Sequence, residues 1–168
     1  MSLTKDLLET LHTSEEELLK LLIGDVKEVF CTMVGMEDLL HLPLHVAPET
    51  HFKDCITAMV GFAGVFNGLV SLHVPKKLAL VFTSGMLGME VGDLNDDVRD
   101  ALGEITNMIA GSFKHHISRG GTDIKLSTPS IVSGDDYYVN AGNSLDTLTL
   151  KFASEEEWFI TSIVLEKE

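Results

Sequence analysis

From Ile124 onward the sequence holds no helical period. Ile124 to Leu126, Ser130 to Val132, Tyr137 to Val139, Leu145 to Phe152 and Phe159 to Val164 follow one another as short β-rich runs, divided by Gly, Asn, Asp and Ser clusters. Strands in unbroken succession have no helix between them to carry a parallel crossover, so they return by tight connections and pair antiparallel. Any helices of this chain must come earlier.

They do. Leu18, Leu21, Leu22, Val26, Val29, Phe30 and Met33 recur at three- and four-residue spacing inside a stretch with helical signals from Thr4 to about Gly35. Thr13 or Ser14 is placed as its cap, Glu15, Glu16 and Glu17 load its first turn with negative charge, and Gly35 stops it. The period then changes to two: Leu40, Leu42, Leu44 and Val46 alternate with His41, Pro43 and His45, and Pro43 assigns that strand to an edge or a bulge. Ile56 to Phe62 and Val65 to Val74 read as a hairpin turning at Ala63 and Gly64. Pro75 opens a helix from Lys76 to about Leu87, ended by Gly88. A longer one runs from about Leu94 to Ser118, capped by Asn95 or Asp93 and leaving through Ser118-Arg119-Gly120-Gly121. Helix, strands, two helices, strands, with no βαβ alternation, is the pattern of an α+β domain with a largely antiparallel sheet. At 168 residues and 45% hydrophobic content the chain fills one core.

Charge removes two classes of partner. Twelve Lys and Arg against 26 Asp and Glu give a formal net charge of −14, the wrong sign for phosphate backbones or anionic lipid. The longest apolar runs, such as Leu78 to Phe82, fall far short of the roughly 20 residues of a membrane span, and Glu9 and Glu15 to Glu17 interrupt any export-type apolar region, which predicts a cytoplasmic protein. Cys31 and Cys55 lack the spacing of a zinc or redox pair and read as buried or half-buried thiols.

The helix near residues 94–118 is the segment that carries chemistry. Advancing 100° per residue, Ala101, Leu102, Ile105, Met108, Ile109 and Phe113 fall within roughly 140° and form the core face. Asp100, Glu104, Asn107 and Gly111 fall within about 60° on the opposite side. Such a stripe is ordinarily just a solvated surface, but two of its members are poor helix formers. An exposed mid-helix Asn costs several tenths of a kcal/mol relative to Ala, and Gly about 1 kcal/mol. A Gly beside a carboxylate and a carboxamide lets another backbone approach closely.

The run Asp100-Ala-Leu-Gly-Glu104-Ile-Thr-Asn107-Met-Ile-Ala-Gly111 resembles the signature helix of the CheC/CheX/FliY phosphatases: an Asp or Ser four residues before a Glu, an Asn three after it, and a proline a little over twenty residues later, the place of Pro129. The resemblance extends over roughly Gly61 to Val164, including Gly68 to Pro75, and makes residues 21–168 a CheX-like domain behind an N-terminal helical extension, residues 1–20. CheC-type members carry the signature twice. Here Cys31 stands where an Asn would follow Glu28, and Gly24 replaces the acid, so one site remains, as in CheX.

The resemblance implies a protein phosphatase acting on the aspartyl-phosphate of a CheY-type response regulator. It assigns Asn107 to orienting the attacking water, Glu104 to docking the regulator's lysine, and Asp100 and Gly111 to the contact with the partner. It implies no cofactor of the chain's own, the Mg²⁺ being supplied by the regulator, and a homodimer formed through a sheet edge. The alternative is a module of the same fold that binds a regulator, or pairs with itself, without turnover. Other motifs read blandly. His41 and His45 lie about 13 Å apart on a strand, too far to share an ion, and His115 and His116 point about 100° apart on a helix. Gly61, Gly64 and Gly68 belong to the hairpin, Asp135-Asp136 and Glu155 to Glu157 to solvated turns, and Met33, Met36, Met59, Met86, Met89 and Met108 to core gaps, with Met86 and Met89 also placed for the rim of a contact surface.

Overall fold

The structure, a computed structural model, describes residues 3–43, 50–118, 123–140, 146–154 and 157–167. Leu44 to Val46 of the alternating stretch, Arg119 to Gly121 of the helix exit, Leu145 and the pair Glu155-Glu156 lie outside them.

The first helical stretch is divided into three. Thr4 caps α1 (Lys5–Leu11), and His12 closes it in the left-handed region with φ 54°. Ser14 then accepts a hydrogen bond from the Glu17 amide at 3.1 Å to open α2 (Glu15–Val29). One π-helical turn, Phe30–Val34, carries α2 to Gly35, whose φ of 75° ends it. Leu3, Leu7 and Leu18 are buried in the same apolar core as the rest of the chain.

The strands are β1 (Leu40–Leu42), β2 (His51–Gly64), β3 (Phe66–Pro75), β4 (Ile124–Leu126), β5 (Ser130–Tyr138), β6 (Asp146–Ser154) and β7 (Glu157–Lys167), with α3 (Lys76–Leu87) and α4 (Asp96–Ile117) between β3 and β4. They form one seven-stranded sheet in the order β1-β6-β7-β3-β2-β4, with β5 also on the free side of β2. Every pairing is antiparallel. The α+β architecture and the β2–β3 hairpin agree with the sequence reading.

Two strand boundaries do not. β5 runs unbroken through Ser133 to Asp136, where the sequence predicts a solvated turn. The reason is its neighbour: β2 is 14 residues long and pairs with β5 from His51↔Tyr138 to Met59↔Ser130. Backbone pairing along that length outweighs the poor strand propensity of Gly134, Asp135 and Asp136, whose side chains stay exposed at the edge. β2 itself starts at His51 rather than Ile56, because the polar residues His51, Lys53 and Asp54 conceal the buried Phe52 among them.

Alternation along the strands fixes two faces. Ala58, Val60, Val70, Leu72, Leu148, Leu150 and Ile163 face the helices and are buried with Leu22, Val26, Leu102, Ile105, Ile109 and Phe113. Phe82 sits edge-on to Phe30 at 4.8 Å and to Phe159 at 5.4 Å, tying α3 and the π turn to the sheet. α4 packs against α2, α3, β2 and β3 together, so the predicted functional helix is held from beneath and from the side.

Candidate active site

α4 begins where local chemistry places it. The Asn95 side chain accepts from the Val98 amide at 3.1 Å, and Asp96 and Asp97 lie in the positive first turn. Arg99 is spent on Asp96, 3.3 Å away. Val98, Leu102, Ile105, Ile109 and Phe113 are all at most 1% exposed, which fixes the roll of the helix about its axis. The predicted stripe therefore points outward: Asp100 and Glu104 are exposed, Asn107 and Gly111 half-buried. With 1.5 Å of rise per residue, Glu104 and Asn107 are one turn apart and the stripe extends about 16 Å. Among the described residues, Asp100, Glu104 and Asn107 have no side-chain hydrogen bond or ion pair. Around Gly111 an added Cβ would meet none of the described residues within 4 Å, so space is open on that side of the helix.

Pro129 reaches the same helix from another element. A Cβ built on Gly103, the residue before Glu104, would lie 3.3 Å from Pro129 Cβ and 3.6 Å from Ile131 Cδ1. The proline thus seats so close to α4 that any side chain at position 103 would press on it. Ser127 holds this segment to β2: its amide donates to the Gly61 carbonyl at 2.8 Å, and its hydroxyl accepts from the Gly61 amide at 2.9 Å. Sequence reasoning missed Gly103. A second glycine in the same helix, besides Gly111, is the signal that was there to be read. At the other end of α4, His116 Nε2 lies 2.8 Å from Asp25 Oδ2 of α2, and burial raises the Asp25 pKa against the opposing pull of that histidine.

The other candidates disperse. Cys31 falls in the π turn and is exposed, contrary to the expectation of burial, and Cys55 is half-buried. Because the regular α-helical register ends at Val29, Glu28 and Cys31 do not repeat the geometry of Glu104 and Asn107. Gly61 and Gly64 lie in β2 and Gly68 in β3. Met33, Met36, Met86 and Met108 pack on the core, while Met89 is 64% exposed. Among the described residues no group of three His, Cys, Asp or Glu is arranged to hold a metal ion, and no helix is long and apolar enough to cross a membrane.

The sequence model of the family Chemotaxis phosphatase CheX matches residues 56–153, more than half of the chain and the whole of α4 and the Pro129 segment. The chain belongs to the CheX family. It is 26% identical over 145 residues to the CheY-P phosphatase CheX of Thermotoga maritima, covering 86% of this chain and 93% of that one. A chemotaxis protein CheX from Desulfovibrio desulfuricans superposes with a TM-score of 0.75 at 28% identity, over 89% of this chain and 99% of the other. The CheX of a CheX-CheY-BeF3-Mg²⁺ complex from Borrelia burgdorferi shares the fold with a TM-score of 0.69 at 18% identity, over 89% and 98% of the two chains. Its α+β fold is thus that of a chemotaxis phosphatase family.

Proposed function

We propose that this chain accelerates hydrolysis of the aspartyl-phosphate of a CheY-type response regulator, with Asn107 orienting the attacking water and Glu104 docking the regulator's lysine. The observation that carries the reading is the Glu104–Asn107 pair, without side-chain partners among the described residues and held outward on a helix whose opposite face is buried. An acyl phosphate is already activated, and the regulator's Mg²⁺ and lysine neutralise its equatorial oxygens, so what a partner must add is an oriented nucleophile. A carboxamide does this without charge: it both donates to and accepts from a water, and does not repel the phosphoryl group as a carboxylate would. Glu104, one turn away, supplies the negative charge for the lysine, and the open space at Gly111 admits the regulator's backbone. Asp100 adds a peripheral polar contact. The name of the Thermotoga relative, a CheY-P phosphatase, and the composition of the Borrelia complex support the same substrate and the regulator as the source of Mg²⁺.

The protein works in the cytoplasm as a homodimer joined through a sheet edge, residues 1–20 being an extension of a phosphatase domain formed by 21–168. Either β1 or β5 offers such an edge. A monomeric mass by light scattering at micromolar concentration would remove the dimer. The function itself is tested by phosphate release from a phosphorylated regulator in Mg²⁺, with and without the protein. Acceleration by the wild type and none by Asn107→Ala is expected; equal acceleration by both overturns the mechanism, and none by either leaves a binding module.

A further inference from the structure

The sheet face turned away from α4 holds a concave site of its own. His73 alternates with the core residues Leu72 and Val74 and so points to that far face. It lines a cavity of about 390 Å³ together with Phe52, Pro75, Trp158, Cys55, Lys53 and others. His73 is only 6% exposed and Phe52 4%, and their rings lie flat on one another at 4.1 Å and 9°. The imidazole is held at its back: its Nδ1 lies 2.8 Å from the Thr57 hydroxyl, which lies 2.8 Å from the Tyr137 hydroxyl. Among the described residues its Nε2 has no hydrogen-bond partner. Trp158, at the other wall, is 40% exposed although Lys151 Nζ sits 3.7 Å over its ring.

We propose that this cavity binds an uncharged planar heteroaromatic compound of at most nucleoside size, its ring on Trp158 and its polar edge on His73 Nε2. The volume lies at the small end of the roughly 300–1,000 Å³ usual for ligand sites. Aromatic and proline walls favour a flat π face over a branched aliphatic one. Of the charged and titratable side chains lining the site, Lys53 and Glu157 cancel in charge, His51 is taken up by Asp136, 2.5 Å from its Nε2, and burial pushes the His73 pKa down to about 4, so the lining offers no net charge to offset the desolvation of a charged ligand. Nε2 of this buried histidine, without a partner among the described residues, is the kind of group that a ligand's donor or acceptor satisfies.

The site is independent of the phosphatase reading and is tested without it. Trp158 is the chain's single tryptophan, so its emission reports on this cavity alone. Adenosine, titrated into the whole protein, is expected to change that emission saturably with a midpoint below about 1 mM, and His73→Phe, which keeps the stacked ring and removes both nitrogens, to weaken binding at least about tenfold. A response that never saturates, or the same midpoint in wild type and His73→Phe, overturns the proposal. Should His73→Phe fail to fold, Cys55→Leu, which adds bulk at the half-buried wall, decides: loss of the saturable response supports the site, and an unchanged midpoint overturns it.

Discussion

On the proposed reading, Asn107 separates chemistry from folding. It is half-buried and has no side-chain partner among the described residues, so Asn107→Ala removes nothing the fold uses and recovers several tenths of a kcal/mol of helix propensity. We expect stimulated dephosphorylation to fall by about 10²-fold or more, as when a positioned hydrogen-bonding group is deleted, with the melting temperature unchanged or slightly raised. Single-turnover phosphate release and calorimetry check the two halves. Gly111→Ala makes the converse point: stability should rise by about 0.5–1 kcal/mol in urea titration while saturation by the phosphorylated regulator weakens, because the new methyl group occupies space open to a partner. Asp100, Glu104, Asn107 and Gly111 were legible because helical geometry alone decides which residues share a face. Gly103 was not, because its constraint comes from Pro129, on a different element.

The element that matters is α4 together with the segment leaning on it. Gly103→Leu would push Pro129 and Ile131 away from the helix, and overpacking of this kind costs about 1–3 kcal/mol. The expected signature is a loss of phosphatase rate with Glu104 and Asn107 both intact; a fully active, equally stable Gly103→Leu would show that the proline contact positions nothing. Asn95→Ala, which removes the cap, should cost about 1 kcal/mol in chemical denaturation. Helix boundaries were readable from caps, as at Asn95, Pro75 and Gly88, since those signals are local. The course of β5 was not readable, since Asp135 and Asp136 take their extended conformation from pairing with β2, some eighty residues earlier. The π turn after Val29 was likewise invisible, for its residues continue the apolar spacing of α2.

For the whole molecule, the buried His73 sets a pH dependence. In the unfolded chain it titrates near 6.5, in the folded one near 4, so the folded state refuses a proton that the unfolded state accepts. That stability is complete above pH 6.5 and is lost as pH falls toward 4, in all about 3 kcal/mol. Asp25, raised by burial, acts in the opposite sense, adding stability at low pH that fades as it ionises. Urea denaturation between pH 7 and 4 should show the histidine's slope in the wild type, and a visibly shallower one in His73→Phe. The net charge of −14 gives no attraction to a phosphorylated target at long range, so the recognition proposed above must rest on short-range contacts, of which Glu104 with the regulator's lysine is the one proposed.

The sheet order carries one more consequence, for how the chain is made. β7 (Glu157–Lys167) is an inner strand, inserted between β3 and β6. During synthesis α4 and its outward stripe emerge long before β7 does, so a nascent chain presents that helix beside a sheet whose β7 position is unfilled and whose β3 edge is bare. The sheet therefore closes only once residues 157–167 are available to pair with both β3 and β6.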